Sequence, residues 1–266
     1  MIYNLYAVRI IYQCRGIATI MFRLVIISLA LIFQLLSPAF AKTGELYAVL
    51  AQNVGPGLTH RFQKLLVEQY SFPSEHVFLF GEEIENSPSV TGPASADRVL
   101  AKLNELSTKL KPDDKLVLLF LCHMQDGFLI NNTLSYQELE EALKKYDDKV
   151  DIIVVVEGCH SSGAIDIVKS ADVLFTSARK GQPCYGGFLL FLADSLDPQN
   201  AAFKEADTDC NGVVTMGEAY IYAGNESRLA SWYKALDRSV WPPEDFYPIP
   251  AASYHDGGES MTLGKQ

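Results

Sequence analysis

The sequence predicts an α/β fold built on a mainly parallel sheet with helices packed on both faces. Two apolar runs, 115–121 and 151–156, are almost unbroken Val, Ile, Leu and Phe. They are too short for surface helices and read as strands buried on both faces. Segments with helical spacing fall between the strand-like runs, and alternation of this kind favours parallel pairing through crossover helices. The length of 266 residues allows one large domain or two small ones. No internal repeat divides the chain.

The elements follow in order. A first strand is expected over 45–51, then a loop through Val54-Gly55-Pro56-Gly57. A helix over about 59–70 places Phe62, Leu65, Leu66 and Tyr70 on one face. Pro73 stops it, and 76–80 is the second strand. Residues 82–93 are polar and proline-containing, hence a loop. Ser95 caps a helix to about Leu110, with Val99, Leu100, Leu103 and Leu106 facing the sheet. After the third strand, 115–121, Ser135 and Glu138 form a capping-box pattern at the next helix start. The fourth strand is 151–156 and the fifth 173–177, followed by an apolar helix over 185–196. The stretch from Pro242 holds four prolines and ends near Gly257-Gly258-Glu259-Ser260. It reads as a flexible tail, 242–266.

Residues 1–41 are read as an N-terminal extension and signal peptide. Met21-Phe22-Arg23 precedes an apolar stretch over 24–36, and Ala39-Phe40-Ala41 gives a small-residue exit. That is a secretory signal cleaved after Ala41. An uncleaved anchor over 10–36 is the alternative, interrupted by Arg15 and Arg23. Cleavage leaves 42–241 as the domain and an exported, secreted or periplasmic protein. It removes three arginines and no acidic residue, moving the net charge from −10 to −13. So acidic a chain argues against nucleic acid or an anionic membrane as partner, since both need basic patches. Cys122, Cys159, Cys184 and Cys210 remain, at spacings that match no zinc pattern. In an oxidising compartment Cys184–Cys210 or Cys122–Cys159 could pair.

Two residues at the ends of the central runs carry the chemistry. His123 follows 115–121, and Cys159 follows 151–156. If those strands are neighbours, a thiol and an imidazole stand together on the carboxyl edge of the sheet, where open α/β sheets bind ligands. Such a pair is a candidate nucleophile and base. A helix starting near Ser162 would favour a thiolate through its amide dipoles. Gly158 and Gly163 let backbone amides approach a substrate carbonyl as an oxyanion hole, and His123 would protonate a leaving amine. His160 reads as a structural or rim residue, and His60, His76 and His255 as surface residues.

Cys122-His123-Met124 and Glu157-Gly158-Cys159-His160-Ser161-Ser162-Gly163 resemble the caspase-like clan of cysteine peptidases, which includes legumains, metacaspases, gingipains and caspases. That clan has one strand ending in His-Gly and a later one ending in Asp/Glu-x-Cys-x-Ser/Gly-Gly. The resemblance covers roughly Leu46 to Tyr222. Glu157 is similar to the legumain residue, and Cys159-His160-Ser161 to the metacaspase Cys-His-Ser. It implies a three-layer caspase-like sandwich and a cysteine endopeptidase acting on a peptide or protein. His123 and Cys159 would be the catalytic residues, with amides of Met124 and Gly158 as oxyanion donors. Glu157 and Ser177, in Thr176-Ser177-Ala178, would line the pocket for the residue before the scissile bond. Glu157 there would favour Asn first and basic residues second, and would repel Asp unless Arg61 or Arg179 neutralised it. One departure stands out: Met124 replaces the glycine after the family histidine, so its side chain is expected to narrow the site.

Further on, Asp207 to Glu218 follows the twelve-position EF-hand loop. Asp207, Asp209 and Asn211 supply side-chain oxygens, Gly212 the turn, Val213 a carbonyl, and Glu218 a bidentate carboxylate. These hard oxygen ligands suit a structural calcium, with no cofactor needed for the chemistry. An acidic turn leading into a helix is the plainer reading. Two other functional classes fit the same residues: a binding protein on this fold disabled by Met124 and stabilised by calcium, or an unrelated doubly wound domain with a structural thiol.

Overall fold

The computed structural model describes residues 44–82, 90–184, 187–237, 249–255 and 257–264, with the backbone alone over 231–237. The signal-peptide segment and much of the loop expected over 82–93 lie outside the described residues. Six strands form the main sheet: β1 (Leu46–Gln52), β2 (Val77–Phe80), β3 (Lys115–Leu121), β7 (Asp151–Glu157), β8 (Val173–Thr176) and β9 (Ala251–Tyr254). Their order is β2-β1-β3-β7-β8-β9. All neighbours are parallel except β8 and β9. The α-helices among the described residues are α1 (Pro56–Tyr70), α2 (Ala96–Ser107), α3 (Tyr136–Leu143), α4 (Phe188–Leu196), α5 (Ala201–Ala206) and α6 (Met216–Asp237). The expected three-layer α/β sandwich is therefore present.

Strand parity explains the layers, because successive side chains point to opposite faces. Leu116, Leu118 and Phe120 of β3 join Val154 and Val156 of β7 in one core, with α2 and α3. Val117 and Leu119 join Ile153 and Val155 in the other, with α1, α4 and α6. Both faces are covered, so the central strands can be apolar without interruption.

Local signals set most element ends. Gly55 adopts φ 56°, and Pro56 opens α1 three residues earlier than expected. The fixed φ of proline suits a first helical position, and its missing N–H costs nothing there. Ser95 Oγ accepts the Arg98 amide at the start of α2. Ser135 and Glu138 form the reciprocal capping box of α3.

Three features depart from expectation. A small antiparallel sheet, β4 (His123–Met124), β5 (Gly127–Ile130) and β6 (Asn132–Ser135), follows β3 directly. Its strands of two to four residues are too short for periodicity to register. The described part of the tail is also ordered. β9 pairs with β8, joining Val173 to Tyr254. Tyr254 packs edge-on to Phe175 with ring centroids 5.8 Å apart. Leu263 is fully buried in the α1/α4/α6 core, and the buried Lys115 ammonium donates to the Thr262 carbonyl. The prolines of this segment precede an edge strand, a position where missing donors are tolerated. His60 is not a surface residue either: it is 4% exposed, with Nε2 3.2 Å from the Glu82 carbonyl.

Candidate active site

Register brings the two predicted residues together. β3 and β7 run parallel with Leu121 opposite Glu157, and His123 and Cys159 each lie two residues beyond that pair. The Cys122 amide donates to the Glu157 carbonyl at 3.2 Å, so pairing continues to the point where the chains diverge. Both residues therefore leave the sheet at the same level of its carboxyl edge.

Beyond β3 the chain turns into β4, which leaves His123 exposed and Met124 buried. Asn53, just past β1, holds this turn. Its Oδ1 accepts the His123 amide at 3.2 Å, its Nδ2 donates to the Leu129 carbonyl, and its own amide donates to Leu121 at 3.2 Å. The sequence reading missed Asn53. An asparagine at the carboxyl end of the neighbouring strand was the available signal.

Met124 does not narrow the site. Its side chain turns into the α2/α3 core at 5% exposure, with the Tyr136 hydroxyl 3.9 Å from its sulfur. It packs beneath Gly158, where a Cβ would meet Met124 Sδ at 2.9 Å and the Cys122 carbonyl oxygen at 2.4 Å. Glycine is required there by this close approach.

The expected oxyanion donor Gly158 is engaged, since its amide donates to Ser177 Oγ at 3.0 Å. Ser177 is 1% exposed and acts as a fastener between β8 and the Cys159 turn, not as a wall open to substrate. The Cys159 amide meets no acceptor among the described residues, which leaves it available to an oxygen at the site. No long helix follows Cys159. The turn over Ser161–Ala164 is a four-residue 3₁₀ segment, too short for a useful dipole. His160 enters it in the left-handed region at φ 58°, its amide donating to the Gln182 carbonyl at 2.8 Å. That reversal swings the chain away immediately after the thiol.

Cys184 takes the place the helix was expected to fill. Its amide donates to Cys159 Sγ at 3.2 Å, and its carbonyl oxygen lies 3.9 Å from the Cys159 thiol. Its thiol donates to Glu157 Oε1 at 2.7 Å and lies 3.3 Å from Ser177 Oγ. Glu157 Oε2 accepts the Leu189 amide at 2.8 Å in the first turn of α4. The Glu157 carboxylate is thus 2% exposed and occupied within the protein; as arranged it faces no substrate side chain. Burial pushes its carboxyl above the ordinary range, while bonds from Cys184 and Leu189 pull the other way. Arg61 of α1 cannot neutralise it, because its guanidinium is ion-paired with Asp194 of α4. Nothing in the sequence marked Cys184 as a neighbour of Cys159; they meet only through the β7–α4 packing. None of the four described cysteines is in a disulfide. Cys122 is 2% exposed, and burial pushes its thiol up to about 12.

Away from this edge, carboxylate oxygens of Asp207, Asp209 and Glu218 lie within 4.8 Å of one another. Asp207 accepts the Asn211 and Gly212 amides, and Asn211 Oδ1 accepts the Val213 amide at 2.8 Å. Glu218 accepts from the amides and hydroxyls of Thr208 and Thr215. Partial burial raises its carboxyl, but those bonds prevail and hold it below the usual range. The donor set is all hard oxygen, which fits calcium. Glu218 also closes a capping box with Thr215, whose Oγ1 accepts the Glu218 amide at 3.2 Å.

Fold and site define an open, mainly parallel α/β domain with a thiol and an imidazole at the carboxyl edge. No protein-family model matches the chain, and neither does any curated protein. Among solved structures it is similar to a structural-genomics target from Geobacter sulfurreducens, at 13% identity and a TM-score of 0.43 over 83% of this chain and 98% of that one. It is also similar to a secreted C11 cysteine protease from Bacteroides thetaiotaomicron, solved with an irreversible peptide inhibitor. There the identity is 14% and the TM-score 0.34, over 57% of this chain and 54% of the protease.

Proposed function

We propose that this chain is an exported cysteine endopeptidase of the caspase-like clan, with Cys159 as nucleophile and His123 as general acid and base. One observation carries the reading: Leu121 and Glu157 are register partners, so thiol and imidazole emerge from adjacent parallel strands at one level. The Cys159 sulfur attacks the peptide carbonyl, and His123 protonates the departing amine. Water, deprotonated by His123, then releases the acyl group. The Cys159 amide serves as an oxyanion donor, since the Gly158 amide is held by Ser177. The Cys184 amide donates to the Cys159 sulfur at 3.2 Å and so holds it in place. The binding-protein alternative drew on Met124 obstructing the site, and that side chain lies in the core. Iodoacetamide labelling of the full protein tests the proposal. Selective alkylation of Cys159, weakened in His123→Ala and accompanied by peptide cleavage, is expected. Labelling of Cys159 that ignores His123→Ala, with no cleavage of a peptide library, would favour the binding protein.

We also propose that the loop over 207–218 holds a structural calcium. The grouping of the Asp207, Asp209 and Glu218 carboxylates within 4.8 Å supports this reading, as does the side-chain oxygen of Asn211 between them in sequence.

A further inference from the structure

We propose that Cys184 is a resolving thiol for Cys159, so that a peroxide converts the pair into a reversible disulfide. The proposal needs the Cys159 sulfur and its neighbours only; it stands whether or not the chain cleaves peptides.

Two contacts carry it. The Cys184 amide nitrogen is 3.2 Å from Cys159 Sγ, so covalent geometry puts Cys184 Cα within about 4.7 Å of that sulfur. A disulfide sets its two Cα atoms about 4.4–6.8 Å apart. With the Cys184 Cα this close to the partner sulfur, a rotation about the Cys184 Cα–Cβ bond is the movement that would bring its own sulfur from Glu157 to Cys159. The second contact is the 2.7 Å bond from the Cys184 thiol to Glu157 Oε1, which supplies a buried carboxylate to take the thiol proton. The other cysteines are less suited. Cys122 sits in the α2/α3 core at 2% exposure, and Cys210 is exposed on the 207–218 loop.

The chemistry balances. The Cys159 thiolate attacks one peroxide oxygen, the O–O bond breaks, and hydroxide leaves to become water, giving a sulfenic acid. Glu157 takes the Cys184 proton, and the resulting thiolate attacks the Cys159 sulfur. The S–O bond breaks, and the hydroxide leaves as water with that proton. Two thiols lose two electrons in total, and one peroxide is reduced to two waters. The disulfide withdraws Cys159 from any reaction but protects it from further oxidation to the irreversible sulfinic acid. A dithiol reductant restores both residues by exchange.

The test treats the full protein with limiting hydrogen peroxide, digests it without reductant and reads the peptides by mass spectrometry. A peptide joining Cys159 to Cys184, two hydrogens lighter than its halves, is expected, with iodoacetamide labelling of Cys159 restored by dithiothreitol. In Cys184→Ser, Cys159 should instead gain two oxygens, with labelling lost for good. Cys159 found mainly as sulfinic acid in the unmodified protein, or linked to Cys122 or Cys210, overturns the proposal. Because the linkage is read directly, it is scored even where Cys184→Ser folds poorly. A Cys159–Cys184 link in a protein that cleaves nothing would overturn the peptidase reading alone.

Discussion

Glu157 joins Cys184 to the first turn of α4: one carboxylate oxygen accepts the Cys184 thiol at 2.7 Å and the other the Leu189 amide at 2.8 Å. Gly187 precedes α4 and has no side chain to cap it. A buried carboxylate from β7 therefore performs that task, and the same group lies beneath the proposed nucleophile.

Stability should depend on pH through Glu157, with a definite sign. Burial raises its folded value above the ordinary Glu value, which is about 4.3. Below that value the group is protonated in both states, and its contribution is fully present. As pH rises, the unfolded chain ionises first, so the folded state holds the extra proton and stability falls. The loss ends once the folded carboxyl has also ionised. Urea unfolding of the natural protein and Glu157→Gln, from about pH 4 to about pH 8, should give a difference in stability that shifts in favour of Gln with rising pH. A flat difference, or one that shifts toward Glu, would show that burial does not dominate.

Gly158→Ala should destabilise the fold by roughly 1–3 kcal/mol through overpacking. The added methyl would meet the Cys122 carbonyl oxygen at 2.4 Å, and backbone cannot step aside as a flexible side chain can. Met124→Ala should cost about 2–5 kcal/mol, because it empties a buried site. Denaturant titration checks both. If Met124→Ala were neutral in stability, the side chain would not be in the core.

Cys159→Ala should abolish peptide cleavage with the fold retained. His123→Ala should lower turnover by about 10²–10⁴, the usual worth of acid–base help. Asn53→Ala should act through position alone, by releasing the His123 amide and the Leu129 carbonyl. Its expected signature is a smaller loss in kcat than for His123→Ala, with KM and thermal stability nearly unchanged. Cleavage by purified Cys159→Ala would refute the nucleophile assignment.

Chelation should lower the melting temperature if the loop over 207–218 binds calcium, and Asp207→Ala should remove that sensitivity. Glu218→Ala is expected to be more damaging. It also removes the carboxylate that accepts the Thr208 and Thr215 amides, a loss of about 0.5–1.5 kcal/mol for each hydrogen bond with or without calcium. Melting curves with calcium and with chelator separate the two effects. Equal melting temperatures in both conditions would leave the segment an acidic turn.

The order of strands and helices, the two-faced burial of β3 and β7, and the capping box at Ser135 were legible in the sequence. They depend on periodicity and on residues within one turn of each other, which act locally. So did the placing of His123 and Cys159 at strand ends. Tertiary structure alone decided the rest. Met124 follows an exposed histidine in a two-residue strand, and its burial depends on the room beneath Gly158. Glu157 looked like a pocket carboxylate, yet parity points it at α4, whose first turn offers an amide to it. The tail looked disordered by composition, but β8 offers an open edge that β9 fills. Cys184 meets Cys159 across 25 positions of chain. Each is a contact between segments distant in sequence, set by packing and register, and no local pattern of residue types encodes it.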